Sequence, residues 1–158
     1  MKVRDVMAET PASCSMDTNL GTAVEILWTR NCGILPIVDS DQKVVGVVTD
    51  RDICIALGTR NRLPGEITVG EIASGNVFAC TPDDEVHTAL SIMAQGKVRR
   101  LPVISTEGTL KGLLSLDDVV MHSGPGKGEI PYHEVVAILK SIFQAVTPEI
   151  ALRREKAA

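Results

Sequence analysis

Two stretches of the chain pair a hydroxyl with a carboxylate three residues later. Thr49 and Asp52 follow Gly46-Val47-Val48, and Ser115 and Asp118 follow Gly112-Leu113-Leu114. If a helix opens at the hydroxyl, that spacing brings both side chains onto one face of its first turn. The N–H groups left unpaired there attract anions. A carboxylate at that place can accept hydrogen bonds from the 2′- and 3′-hydroxyls of a ribose. The same pattern is also a helix N-cap with an acid at the third position, worth about 1 kcal/mol by itself. Its repetition after Gly-aliphatic-aliphatic puts capping and ligand binding level. A third group, Lys97-Val98-Arg99-Arg100-Leu101-Pro102, gathers basic residues at the start of a predicted strand. Such a group is either a solvated face or a phosphate clamp, for which the arginine fork is well shaped.

The elements that carry these residues occur twice. Pro36 of Leu35-Pro36-Ile37-Val38 and Pro102 of Leu101-Pro102-Val103-Ile104 lie 66 residues apart. The same offset takes Val3 to Val69, Cys14 to Cys80, Asp17 to Asp83, Gly46 to Gly112, Thr49 to Ser115 and Asp52 to Asp118, without a gap. Each copy reads as a short extended segment (Ala12–Ser15; Val77–Thr81), then a helix opening at Asp17 or Asp83 with apolar residues at helical spacing. Two strands follow (Ile34–Val38 and Val44–Val48; Leu101–Ile104 and Leu110–Leu114), joined by turns rich in Asp, Ser and Gly. A last helix opens near Asp50 or Leu116. The fold class is α/β (α+β), two β-α-β-β-α repeats. The domain boundaries expected are 1–66 for the first repeat with its linker, 67–123 for the second, and 124–158 for a linker and C-terminal helix. Gly58-Thr59-Arg60-Asn61-Arg62-Leu63-Pro64-Gly65 reads as the linker between copies. Roughly 55 residues is marginal for a lone domain, so the two aliphatic sheets should pack together with pseudo-twofold symmetry.

These paired motifs resemble tandem cystathionine beta-synthase (CBS) domains, together a Bateman module of the stand-alone bacterial type. The resemblance spans about 120 of the 158 residues. It implies repeats packed through their sheets, with two clefts between them that often take AMP, ADP, ATP or another adenosyl ligand. Carried onto this chain, Thr49 and Asp52 match the family's ribose motif, and Ser115 and Asp118 its second copy. Arg99, Arg100 and Pro102 resemble the segment that holds phosphates. The segments around Thr10 and Ala12, and around Val77 between Asn76 and Phe78, correspond to backbone that lines the adenine. Ile34 and Pro36, on the first repeat's strand, and Arg51, in a variant common to bacterial members, complete the ligand-binding set that the resemblance implies. Copy one has Asn31-Cys32-Gly33-Ile34 where copy two has Lys97 to Arg100, so any phosphate pocket is asymmetric. Asp117 replaces the arginine of copy one and adds negative charge that opposes an anion, which favours the cleft of Thr49 and Asp52.

Composition narrows the remaining classes. The chain is 44% hydrophobic and 23% charged, with a net charge of −4. That apolar content excludes disorder, and the interspersed charge argues against nucleic acid. Only 3% of residues are aromatic, so a base-stacking platform is not expected and an adenine would rest on aliphatic side chains and backbone. No apolar run approaches the roughly 18 residues of a membrane span, and the N-terminus has no apolar core of a signal peptide. Cys14, Cys32, Cys54 and Cys80 show no metal or disulfide spacing and read as buried free thiols of a cytoplasmic protein. Gly124–Gly128 lacks the spacing of a phosphate loop and reads as a linker. His87, His122 and His133 have no ligand spacing, and no metal site is expected. Trp28 reads as packing or interface. Tyr132–Val146 has a helical apolar stripe bounded by Pro131 and Pro148. The tail Arg153-Arg154-Glu155-Lys156 reads as frayed.

Three functions compete. The first is an adenine-nucleotide sensor, with no required cofactor, that acts on a separate regulated protein because no output domain is recognised in the chain. The second is a ligand-independent structural dimerisation module. The third, an enzyme, lacks any nucleophile–base pair or metal set, and the chain is read as a non-enzyme. Family precedent points to a homodimer.

Overall fold

The computed structural model describes residues 1–144. Ten regular elements follow one another: β1 (Ala8–Glu9), α1 (Leu20–Thr29), β2 (Ile34–Val38), β3 (Val44–Thr49), α2 (Asp50–Arg60), α3 (Val86–Gly96), β4 (Arg100–Ile104), β5 (Leu110–Ser115), α4 (Leu116–Met121) and α5 (Tyr132–Phe143). Strands β2 and β3 form an antiparallel hairpin, and β4 and β5 form its twin, with β1 added on the outer edge of β5. Val146, Pro148 and the basic tail lie outside the described residues.

The 66-residue offset is a structural symmetry. Lys2 bridges Glu85 as Asn19 bridges Thr68, Cys14 bridges Ile37 as Cys80 bridges Val103, and Val47 bridges Ser74 as Leu113 pairs with Ala8. Lys43 bridges its own counterpart, Thr109, so the hairpin turns meet on the pseudo-twofold axis. There Val44 N donates to Gly108 O at 3.0 Å and Leu110 N to Gln42 O at 3.1 Å. That turn needs a left-handed residue; Gly108 adopts it without steric cost, whereas Gln42, at φ +61°, bears it with a side chain.

The aliphatic core is divided between the repeats, and each half is completed by the lead-in of the other. Val3 and Val6, at the very start of the chain, are buried among Leu90, Met93, Leu101 and Leu114 of the second repeat. Ile67 and Val69, from the connection between repeats, are buried among Leu20, Leu35, Ile37 and Val48 of the first. Matching backbone bonds seat the two arms. Val3 N donates to Asp84 O at 2.9 Å and Val69 N to Thr18 O at 2.7 Å, while Val86 N reaches Met1 O and Leu20 N reaches Ile67 O. At the surface Lys2 and the N-terminal ammonium pair with Glu85, and Arg62 and Arg60 pair with Glu71. Those bonds, from Lys2 first for Glu85 and from Arg62 first for Glu71, hold both carboxyls below the usual range. Their contribution is present above the ordinary carboxylate pKa and is lost as the pH falls through the depressed values. The pairs are exposed and screened by salt. Each lead-in is therefore seated in the core of the other repeat.

Several local expectations shift. The first extended segments make single bridges at Cys14 and Cys80 rather than strands. Helices α1 and α3 open from Asn19 and Glu85, two residues beyond Asp17 and Asp83, because Asn19 Oδ1 accepts from Thr22 N and the arms occupy the preceding backbone. Gly58 to Arg60 continue α2 instead of starting the linker, and the helix ends at Asn61 in the left-handed conformation. Helix α5 lays Val135, Ile138, Leu139 and Ile142 against the second repeat. No described element covers the counterpart face on the first repeat: Val24, Trp28, Cys54 and Leu57 line an apolar groove, with Trp28 84% exposed. His87, on α3, hydrogen-bonds Glu134 of α5. No helix of the described residues is long and apolar enough to cross a membrane.

The thiols also divide. Cys14 and Cys80 are buried, Cys32 is half-buried and Cys54 is exposed, against the expectation of four buried thiols. Burial pushes the Cys14 thiol up to about 11 and Cys80 up to about 12. Both stay protonated, hence unreactive, at mildly alkaline pH. Labelling native protein with a thiol-specific disulfide reagent at pH 8 should modify Cys54 first, with Cys14 and Cys80 reacting only on unfolding. Because ionisation is suppressed in the fold alone, stability should fall as pH rises past about 9, where the unfolded thiols lose their protons.

Candidate functional site

Thr49 and Ser115 end their strands and cap the helices that follow. Thr49 N donates to Asp52 Oδ2 at 2.9 Å, Thr49 Oγ1 to the same oxygen at 2.7 Å, and Asp52 N returns a bond to Thr49 Oγ1 at 3.2 Å. Ser115 and Asp118 repeat it, at 2.8, 2.6 and 3.2 Å. Both are therefore capping boxes, formed because the strand ends extended and the next residue turns directly into the helix. The remaining early donors of α2 are taken as well: Asp50 N reaches Gly33 O at 3.4 Å and Arg51 N reaches Asp50 Oδ1 at 2.7 Å. The helix N-terminus consequently offers an anion no free N–H in its first three residues, contrary to the expectation from spacing. Asp52 Oδ2 is saturated, whereas no described donor reaches Oδ1.

Beside Thr49 a cleft of about 280 Å³ opens between the repeats. The first repeat supplies Gly33, Ile34, Val47, Thr49, Asp50 and Arg51; the second supplies Lys97, Val98, Arg99, Arg100 and Pro102, with Asn76 and Phe78 from its lead-in. Four cations against one carboxylate make it basic inside an acidic chain. Arg100 reaches across the pseudo-twofold axis. A Cβ on Gly33 would stand 3.6 Å from Arg100 Nη1 and 3.2 Å from Asp50 Oδ2, so the missing side chain leaves room for this approach. From its own repeat Asp117 Oδ2 lies 3.9 Å from Arg100 Nη2, a loose and exposed pair.

The structure gathers Ile34, Thr49, Arg51, Arg99, Arg100 and Pro102 in this cleft, and Val77 lies between two residues that line it. Others lie elsewhere. Asp52, drawn back by its cap, faces a separate hollow of about 300 Å³ formed with Glu71, Ile72 and Ala73. Pro36 is buried within β2, Ala12 packs on the first core, and Thr10 lines a hollow with Arg4 and Lys111. Ser115 and Asp118 belong to the opposite, pseudo-equivalent side. Residues missed from the sequence include Gly33, Val47 and Asp50; the only local signal was their adjacency to Ile34, Val48 and Thr49. Phe78 is the larger correction. Its ring lies over Gly96, where a Cβ would come within 2.7 Å, and, 39% exposed, Phe78 lines the cleft with an aromatic side chain.

A model of the CBS domain matches residues 3–59 and again 69–124. The chain belongs to the CBS domain family. Hypoxic response protein 1 of Mycobacterium tuberculosis is 30% identical over 139 residues, covering 88% of this chain and 92% of that protein. The crystal structure of Hypoxic Response Protein I with two coordinated zinc ions superposes with a TM-score of 0.71 at 29% identity, over 78% of this CBS pair and 100% of that chain. Among the described residues here, no group of three or more His, Cys, Asp or Glu side chains could hold a metal ion. The CBS domain pair of protein MJ0100, solved with 5′-methylthioadenosine and S-adenosyl-L-methionine, gives a TM-score of 0.70 at 26% identity, over 77% and 94% of the two chains. CBSX2 in complex with AMP gives 0.66 at 25% identity, over 76% and 93%. The tandem arrangement and, among the described residues, the two small sheets and five α-helices match those of a CBS domain pair.

Proposed function

We propose that this CBS pair is a regulatory module that binds an adenosine-containing ligand in the cleft beside Thr49 and passes the ligand's presence to a partner protein. The observation that carries the reading is the cleft itself, which is closed only by residues of both repeats. A ligand seated there ties the repeats together and is positioned to change their relative placement. The bound adenosyl ligands of MJ0100 and CBSX2 support the ligand class. Arg51, Lys97, Arg99 and Arg100 would take phosphate, Phe78 and Val47 would take the base, and the carboxylate of Asp50, which lines the same cleft, would accept ribose hydroxyls. The reading is of binding rather than catalysis, since the hydroxyl of Thr49 is engaged in both directions by its cap.

Calorimetry against AMP, ADP, ATP, NAD and S-adenosylmethionine at up to millimolar concentration is the test. Saturable heat from at least one, with a rise of several degrees in melting temperature, is the expected result. Asp50→Ala should weaken it strongly. Asp52→Ala removes the cap of α2 at a cost of about 1 kcal/mol but no group of the cleft wall, and should weaken binding far less, which separates ligation from capping. The open groove of α1 and α2 favours a second reading, a homodimerisation module with no ligand. Silence from every compound, with a dimer whose melting ignores them all, would establish that reading in place of the first.

A further inference from the structure

Helix α5 covers the helical face of the second repeat, where Val135, Ile138, Leu139 and Ile142 join the cluster of Leu90, Met93 and Val119. The 66-residue offset carries those last three onto Val24, Leu27 and Ile53 of the first repeat. With Trp28, Cys54 and Leu57 they line a groove of about 510 Å³ that no described element covers. Trp28 stands where the second repeat has Ala94, so a large ring projects from this face and not from its twin. Helix α5 has an uncovered apolar stripe of its own. Tyr132, Val136 and Phe143 are 57%, 49% and 63% exposed, with exposed Lys140 between the last two. Successive spacings of four, four and three residues set all of them on one face. The charges fit as well: Asp50 lines the groove and Glu25 follows Val24 on α1, and among the described residues neither they nor Lys140 belong to an ion pair. The two surfaces flank one cleft. Gln144 O, just past α5, accepts from Lys97 Nζ at 3.1 Å, Lys97 and Asp50 both line the basic cleft, and Asp50 also lines the groove.

We propose that two copies of this chain pair head to tail, the outer stripe of α5 from each copy seating in the groove between α1 and α2 of the other. Each first repeat receives from its partner the cover that each second repeat has from its own helix. A twofold axis closes both contacts at once and leaves no groove for a third copy. Each copy brings Trp28, Tyr132 and Phe143 to the interface, and an aromatic side chain buries on the order of 150–250 Å². At their observed exposure the three rings supply about half of the roughly 800 Å² per partner that a stable dimer needs. Val24, Leu57, Val136 and the stem of Lys140 add to it, and the Lys140 ammonium meets the acids of the groove. Trp28 is the anchor, a residue type that dominates binding energy once water is excluded around it. The pairing needs no ligand and is independent of the adenosine reading.

The experiment is sedimentation velocity on the full chain over a range of concentrations, with ligand absent. A monomer–dimer equilibrium without larger species is expected. Trp28→Glu and Val136→Glu should each weaken the dimer about a hundredfold, while melting curves taken in dilute solution match the unaltered protein, because both side chains are exposed in the single chain. Lys140→Glu should weaken it about tenfold at low salt and less as salt rises. The decisive arm mixes the first two variants in equal amounts. One Trp28→Glu chain and one Val136→Glu chain retain a single intact contact, the unaltered α5 of the former in the unaltered groove of the latter. The mixture should therefore dimerise at concentrations where neither variant does alone. A dimer that pairs groove on groove gives a different result: Val136→Glu still dimerises and mixing adds nothing. That result would overturn the proposal, as would a monomer at every concentration, whose groove is bare or covered from within its own chain, or oligomers that keep growing. Labelling of Cys54, which lines the groove, gives a second readout. Its rate should fall as the unaltered protein is concentrated and stay constant in Val136→Glu; a dimer that leaves the rate unchanged would place the interface elsewhere.

Discussion

Val3→Asp is expected to lower stability by about 4 kcal/mol, the cost of an unpaired charge in an apolar core. The Val3 side chain is fully buried in the core of the second repeat, and its N–H is bonded to Asp84 O. For a chain of this size the loss corresponds to roughly 10 °C in melting temperature. Hydrogen exchange locates the damage: the amides of α3 and β4 should lose protection first, although the mutation is contiguous in sequence with the first repeat. Val69→Asp should reverse the pattern and expose α1 and β2, since Val69 is buried in the first core. If either variant first unprotects the repeat that follows it in sequence, the exchange of arms does not exist in solution.

Reversing two charges should abolish ligand binding while sparing the fold. In Arg99→Glu/Arg100→Glu two of the three cations that the second repeat extends into the cleft become anions in a cleft that Asp50 also lines. Exposed or half-exposed charges contribute little to folding, and among the described residues the only ion pair lost is the loose one between Arg100 and Asp117. A phosphorylated ligand would meet repulsion in place of attraction at short range, and affinity should drop by at least a hundredfold. The measurement is calorimetry beside a melting curve without ligand. A loss of binding smaller than tenfold would show that phosphates lie elsewhere, and a collapse of the melting curve would show that the two arginines are structural. The opposite change, Gly33→Arg, is a poor route to a second basic cleft, because a Cβ at Gly33 already crowds Asp50 and Arg100.

What the residues determined alone was everything that depends on neighbours along the chain. The doubled pattern, the hairpins at Ile34–Thr49 and Arg100–Ser115, the caps at Thr49 and Ser115 and the amphipathic face of α5 all follow from periodicity and capping over a few residues. The asymmetry of charge was likewise legible, as Lys97 to Arg100 set against Asn31 to Ile34. The tertiary structure decided which of these residues meet. Each arm is short and apolar and satisfies its backbone on either repeat in principle; only the burial of Val3 and Val69 in opposite cores selects the exchange. Asp52 has the same spacing from Thr49 whether it faces the cleft or caps the helix, and the bond from Thr49 N turned it to the cap. Phe78 stands over Gly96 and Arg100 over Gly33 because two glycines leave space across 18 and 67 residues of chain. Such contacts carry no local period, so they are written in the packing and in no stretch of the sequence.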